Sequence, residues 1–569
     1  MTLAVFASSP SPLRVIIVLA TVFFMLLTNA YSYIDGKRWS SEIKAGRSIV
    51  RAEHGMVASS QPLASQVGLE VLKRGGNAVD AAIAMAAVLN VTEPMMTGVG
   101  GDMFALVYWA KTGELKGLNA SGRAPRALNL DYFAKKRIKT MPITGMEPIT
   151  VPGAVDGWVT LLDKFGTMRL PDLLAPAIEY AENGFPVMEK AARDWAGSTD
   201  KLKATPAAAS NYLVDGRAPR AGEIFRQKNL ARTLRTIARG GRDAFYKGEI
   251  GRAIVEYCQK NGGFLTMQDL AEHKSDWVEP IATDYRGYKV YECPPSGQGL
   301  TALLTLNILE GFDLKAMNTR PDLYYHTLIE ATKLAFADRN KYIADPVFAK
   351  VPITQLLSKE YAAGRRALIT PDHAIESPEP GVVVNESDTT YFTVIDKDRN
   401  AVSFINSLFE EFGSGIVAGD TGIVLHDRGA GFSLDPKHAN RIEPGKRPFH
   451  TLIPAMVMKD GKLFMSFGVM GGAIQPQGHI QVLANFIDLG MNIQQAIEAP
   501  RFRYVAGNKV ILEDAMTEPI IKSLIDKGHE RASQAGASMG GGQAIMIDPA
   551  SGTLMGASDP RKDGMALGY

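Results

Sequence analysis

The stretch from Asp388 to Phe404, DTTYFTVIDKDRNAVSF, constrains this chain more than any other. Residues 391–396 are rich in aromatic and β-branched side chains, Lys397-Asp398-Arg399-Asn400 makes a polar turn, and residues 401–404 resume strand composition. That pattern is a β-hairpin. Its first strand opens on Thr389-Thr390 directly after the polar run Asn385-Glu386-Ser387-Asp388, which places a threonine at a strand start beside an exposed loop. If the chain were severed between Asp388 and Thr389, the new terminal residue would carry a hydroxyl nucleophile. It would also carry an α-amine of pKa about 7.7, able to act as that hydroxyl's base.

The 569 residues are 46% hydrophobic and 21% charged, the balance of a globular enzyme. With 62 basic and 60 acidic side chains, no bulk charge draws the chain to nucleic acid or to an anionic membrane. A small-molecule substrate fits better. The two cysteines, Cys258 and Cys293, are too few for a disulfide framework; they either pair in an oxidising compartment or stay as buried thiols.

At the N-terminus Arg14 precedes an apolar run, residues 15–27, of signal-peptide length, and Thr28-Asn29-Ala30 offers small residues for a peptidase. Residues 1–30 read as a signal, which implies a periplasmic or secreted protein. A membrane anchor extending through Tyr33, or a start codon placed too early on a cytoplasmic protein, are the other two readings.

Helices are expected from Pro62 to the stop at Gly75-Gly76-Asn77, and over residues 78–91, where an Ala-rich sequence apolar all round predicts burial against a sheet. Residues 103–109 and 115–119 read as a hairpin. The Gly98-Val99-Gly100-Gly101-Asp102 turn before it lacks the Lys-Ser/Thr and the helix that a nucleotide loop requires. Residues 171–183, 223–239 and 242–260 are amphipathic helices, 281–293 returns to strands, 299–309 and 321–343 are helices, and 350–386 reads as a linker. After the nucleophile strand, residues 452–458 with 463–467 and residues 544–547 with 553–557 are strand pairs, separated by helices at 473–489 and 493–499. Strands on both sides of the cut with helices outside give an α+β fold, an αββα sandwich.

Four stretches, Thr389 to Asp398, Phe412-Gly413-Ser414-Gly415-Ile416-Val417-Ala418-Gly419, Pro444-Gly445-Lys446-Arg447-Pro448 and Gly468-Val469-Met470-Gly471-Gly472, closely resemble the small subunit of the γ-glutamyltransferase (glutathione hydrolase) family. The resemblance runs from about Ile49 to Tyr569. It implies an N-terminal-nucleophile (Ntn) hydrolase made as one precursor and self-cleaved into a large subunit, residues 31–388, and a small subunit, residues 389–569, that pair with each other. It further implies Thr389 as nucleophile, Ser407 as its hydroxyl partner, and Gly471-Gly472 as backbone donors to the oxyanion, a role a glycine pair can fill with no Cβ in the way. No metal or cofactor is called for, and no His, Cys or carboxylate run has metal-ligand spacing.

The substrate cradle departs from the family's pattern. Ser121 stands near the place of a carboxylate-binding arginine with Arg123 two residues on. Phe409 replaces an Asn, Arg428 a Gln or Glu, Gly431 an Asp, and His450-Thr451 a Ser pair. An α-ammonium needs acceptors and negative charge, and Arg428 supplies only donors and positive charge. Arg123, Arg428, His450 and Thr451 form a candidate carboxylate site, with Arg428 either facing the pocket or bracing its loop against an internal acid. Three functions remain open: hydrolysis or acyl transfer on glutathione and γ-glutamyl amides, hydrolysis of carboxylate-bearing amides of oxamate or glutaryl type, and a non-catalytic anion binder.

Overall fold

The computed structural model describes residues 46–376, 388–533 and 538–569. The signal segment and the linker's last part, residues 377–387, lie outside the described residues. Two seven-stranded sheets make the core. The first runs, edge to edge, Met565–Gly568, Met56–Ser59, Asp388–Ile395, Ala401–Phe409, Asp102–Trp109, Glu114–Ala120 and Asp276–Val278. The second runs Val50–Ala52, Leu554–Ser558, Gly541–Ile547, Lys462–Met470, Ala455–Lys459, Tyr288–Glu292 and Ile281–Tyr285. All neighbours within both sheets are antiparallel.

Period-two alternation along the Asp388–Ile395 strand explains the layering. Phe392 and Val394 join the cluster made with the outer helices, whereas Tyr391 and Ile395 belong to the cluster between the sheets. Thr393 follows the second set, its Oγ1 lying 2.6 Å from Ser466 Oγ on the facing sheet. The expected αββα sandwich is thus present.

The helix Ala78–Thr92 has every residue buried, as its all-round apolar character requires. Asn77 and Asp80 close a capping box at its start, and Ala78 N–H donates to Asp396 Oδ2 at 3.0 Å, which ties the helix to the turn between Asp388–Ile395 and Ala401–Phe409. Gly299–Leu309 and Ile474–Ile487 cover the second sheet.

Several boundaries differ from expectation. The helix expected at 223 begins at Lys228, because Ile224–Phe225 pairs with Phe185–Pro186 as a short ladder, and it runs to Tyr246 through a break at Gly241. The stretch read as linker contains two helices, Ile353–Leu356 and Lys359–Arg366, the second capped by Ser358 on Tyr361 N–H. The strands Met56–Ser59 and Met565–Gly568 went unread; four-residue strands leave too short a period to see. Cys258 and Cys293 are buried free thiols. Among the described residues no helix is long and apolar enough to cross a membrane.

Candidate active site

Thr389 sits at an irregularity in the ladder. Asp388 pairs with Phe409 and Thr390 with Asn406, so Ser407 and Leu408 together oppose Thr389 alone. Such a bulge re-aims a side chain locally. The Thr389 side chain, fully buried, donates from Oγ1 to Ser407 Oγ at 3.4 Å and accepts from Gln475 Nε2 at 3.3 Å. Ser407 Oγ also accepts the Phe409 N–H at 2.7 Å, which holds the hydroxyl beside the threonine.

Gln475 was not found from the sequence. It lies three residues beyond Gly472 in the first turn of Ile474–Ile487, and its Oε1 accepts the Ile453 N–H at 3.1 Å, which fixes the amide with its NH2 toward Thr389. The glycine pair therefore belongs to the turn that delivers this contact. Gly471 has φ +116° and Gly472 φ +66°, and a Cβ on Gly471 would fall 3.0 Å from Gly540 Cα. Only glycine fits there. The two carbonyls face the helix, taking the Ile474 and Gln475 N–H groups at 3.4 and 3.1 Å. Because a trans peptide sets C=O and the next N–H on opposite sides, the Gly472 N–H points away from the helix.

Behind the strand, on the opposite face from Thr389, Thr390 Oγ1 donates to Glu93 Oε2 at 3.0 Å and Ser60 Oγ to the same oxygen at 2.7 Å. Burial pushes the Glu93 carboxyl up to about 7, with these two hydroxyls and the charge of Lys562 acting against it. Nothing local in the sequence marks Glu93, since Thr390 is 297 residues away.

The residues expected to bind a carboxylate divide. Arg428 is fully buried and donates from Nη1 to Thr451 Oγ1 at 2.9 Å, while its Nε and Nη2 make no hydrogen bond within the described residues. Its guanidinium lies 4.3 Å from the ring centre of Phe409. Burial lowers it to about 10, opposed by the charges of Asp102, Asp427 and Glu410. Gln298 Nε2 joins Thr451 O and Gly472 O, both at 2.9 Å, so Arg428 and the glycine pair belong to one hydrogen-bonded chain. Arg123 does not join this group: it donates to Gly445 O at 3.2 Å and pairs with Asp276 and Asp345 at 3.6 and 3.7 Å. His450 is likewise corrected to a core residue, because both ring nitrogens are committed, Nε2 to Asp102 Oδ2 at 3.1 Å and Nδ1 to the Leu452 N–H at 3.2 Å. Burial and Arg428 hold it neutral, down to about 3. Gly431 has no room for the aspartate that the family's pattern would place there, since a Cβ would come 2.6 Å from Phe449 O.

A cavity of about 410 Å³ adjoins this group, walled by Phe409, Gly431, Phe432 and Phe449 with Lys139 and Arg339 at its polar margin. Tertiary folding also gathers a His-rich cluster that spacing did not reveal: ligand atoms of His326, Glu330 and His529 lie within 4.8 Å of one another. Most of its ligand atoms are already engaged, with only the buried His529 Nδ1 lacking a hydrogen bond among the described residues. The two rings bond each other at 2.8 Å and Lys333 Nζ holds Glu330 Oε1 at 3.0 Å, so no charge is left to attract a cation.

A family model described as Gamma-glutamyltranspeptidase matches residues 64–569. The chain is 44% identical over 523 residues to the glutathione hydrolase-like YwrD proenzyme of Bacillus subtilis, covering 90% of this chain and 98% of the relative. It is 37% identical over 530 residues to the oxamate amidohydrolase proenzyme of Klebsiella pneumoniae, covering 91% and 98%. A crystal structure of cephalosporin acylase from Bacillus halodurans superposes with TM-score 0.87 at 45% identity, covering 93% of this chain and 98% of that one. Two sheets between helices, a threonine at the head of a central strand and this breadth of match show that the chain belongs to the gamma-glutamyltranspeptidase family of Ntn amide hydrolases.

Proposed function

We propose that the chain cuts itself between Asp388 and Thr389 and then hydrolyses amides whose acyl group ends in a carboxylate, through an acyl-enzyme on Thr389. The freed α-amine takes the proton of Thr389 Oγ1 as the oxygen attacks the amide carbonyl. The Gly471 and Gly472 N–H groups receive the oxyanion, the C–N bond breaks, and the proton passes to the departing amine. Water repeats the sequence in reverse to free the acid. Ser407 and Gln475 orient Oγ1 from its two sides.

One observation carries the substrate assignment: a guanidinium buried beside the nucleophile strand whose Nε and Nη2 edge makes no hydrogen bond among the described residues. Leaving two buried donors of a cation without acceptors is costly, and that two-donor edge fits a carboxylate. Among the relatives, names that include oxamate amidohydrolase and cephalosporin acylase accord with non-γ-glutamyl amides. A second reading, γ-glutamyl amides, draws support from Asp427, whose buried Oδ2 also lacks a hydrogen bond among the described residues and would accept an α-ammonium. Burial pushes that carboxyl up to about 7, which leaves it a weak counter-charge at neutral pH.

The deciding assay compares glutaryl, γ-glutamyl and butyryl anilides with wild type, Arg428→Gln and the Thr389→Ala control. Glutaryl anilide is expected to have the highest kcat/KM. Arg428→Gln should lower that value tens-fold or more, because truncating one partner of a desolvated charge pair costs roughly 2–5 kcal/mol. The neutral butyryl substrate should change little. Preference for the γ-glutamyl substrate, unaffected by Arg428→Gln, would select the second reading.

A further inference from the structure

Resting on the assignment of Arg428 to a substrate carboxylate, we infer that Phe409 is the shutter of that site. Its ring closes Arg428 off from the 410 Å³ cavity, and the carboxylate binds only when the ring swings aside.

Three observations meet on this residue. Phe409 covers the guanidinium at 4.3 Å while also walling the cavity, so it stands between the open volume and a cation with no exposed surface. Its backbone has φ +84°, a region that a bulky L-residue adopts only under constraint. The constraint is visible: the Phe409 N–H is held by Ser407 Oγ at 2.7 Å, and Phe409 pairs in the ladder with Asp388, the residue before the nucleophile. The last residue of the strand thus has its main chain fastened to the catalytic hydroxyls and its side chain lying over the recognition group. A carboxylate is the ligand that gains from displacing the ring, because it offers Nε and Nη2 two charge-assisted bonds where the ring offers one cation–π contact. An uncharged acyl chain has nothing to gain from opening it. The shutter therefore lowers the apparent affinity for charged acyl groups and leaves that for neutral ones unchanged.

The test uses the cleaved enzyme, with Phe409→Gly, which suits the positive φ and removes the ring, and Phe409→Asn, which also tolerates that backbone and stands in should the glycine variant fail to fold. Arg428 is probed by phenylglyoxal and mapped by mass spectrometry. In wild type its labelling should be slow; in the variants it should rise about tenfold, and glutarate should suppress it. KM for glutaryl anilide should fall in the variants by the reciprocal of the fraction of time the site is open, about tenfold if that fraction is about a tenth. KM for butyryl anilide should stay within about twofold. Equal labelling of Arg428 in wild type and variants, with the glutaryl preference intact, would overturn the shutter and leave the carboxylate site standing. Absence of any glutaryl preference in wild type would instead overturn the assignment of Arg428.

Discussion

At the scale of single residues, the candidate site combines what lies in one short motif with what the fold brings from elsewhere. Thr389 stands out as a threonine at a strand start beside a polar loop, and Ser407 and the glycine pair were picked out through the family resemblance. Gln475 and Glu93 were not, since the partner that gives each its meaning is 86 or 297 residues away. Arg123 and His450 were assigned to the pocket by position along the chain; tertiary ion pairs hold Arg123 instead, and the neutral His450 ring is held by its hydrogen bond to Asp102. Glu93 yields a prediction for the uncleaved chain. Burial pushes its folded pKa up to about 7 from the ordinary 4.5, so from pH 4.5 to 7 the folded chain keeps a proton that the unfolded chain has lost. Stability therefore falls as pH rises through that window and stays lower above it. In the Thr389→Ala precursor, Glu93→Gln should remove most of this slope and add on the order of 1 to 3 kcal/mol at pH 8. Urea unfolding at pH 5 and pH 8 measures it, and an unchanged pH dependence would show that Glu93 is not buried as an acid.

At the scale of elements, long periodic segments were readable and short ones were not. The helices 299–309 and 321–343 appear almost residue for residue as Gly299–Leu309 and Pro321–Tyr342, since each is a long run with no Gly or Pro past its first residue. The linker reading at 350–386 missed helices of four and eight residues. Those gain their stability from packing on the body of the protein, a long-range effect that no local pattern reports. The segment that follows them is clamped: His326 Nε2 bonds Thr370 O at 2.8 Å, Glu330 Oε2 takes the Ile375 N–H at 2.7 Å, and Lys527 O takes the Ala374 N–H at 2.7 Å. His529 completes the clamp through His326 Nδ1, among Glu330, Lys333, Lys527 and Asp372. Burial, then the nearby positive groups, lowers His529 to about 3 from 6.5, so below pH 6.5 the unclamped state takes up a proton that the clamped state refuses. Clamp stability is thus full above pH 6.5 and lost as pH falls toward 3. Exchange at the Ala374 and Ile375 amides, corrected for intrinsic rates, should rise about tenfold or more between pH 7 and pH 5, and His529→Gln should flatten that rise. Exchange independent of pH in wild type would mean that the histidine pair does not hold this segment.

At the scale of the whole molecule, the cut proposed before Thr389 divides the sequence without dividing the fold. Five strand pairings would join one fragment to the other: Met56–Ser59 with Met565–Gly568 and with Asp388–Ile395, Ala401–Phe409 with Asp102–Trp109, Val50–Ala52 with Leu554–Ser558, and Ala455–Lys459 with Tyr288–Glu292. The intersheet cluster likewise draws Phe104 and Leu106 from before the cut and Tyr391, Met456 and Ile545 from after it. Neither fragment could bury its apolar surface alone, and each buried Phe, Leu or Met is worth about 1.5–3 kcal/mol. Denaturing gels of purified protein should therefore resolve two chains, the smaller beginning at Thr389 by N-terminal sequencing, while native gel filtration gives one peak containing both. Thr389→Ala should give one chain in both experiments, because the hydroxyl that performs the cut is gone. In urea, fluorescence and fragment dissociation should report a single shared transition, since separating the chains means unzipping both sheets. Fragments that part in native buffer while each keeps its secondary structure would show that the two halves are separate domains rather than one interleaved core.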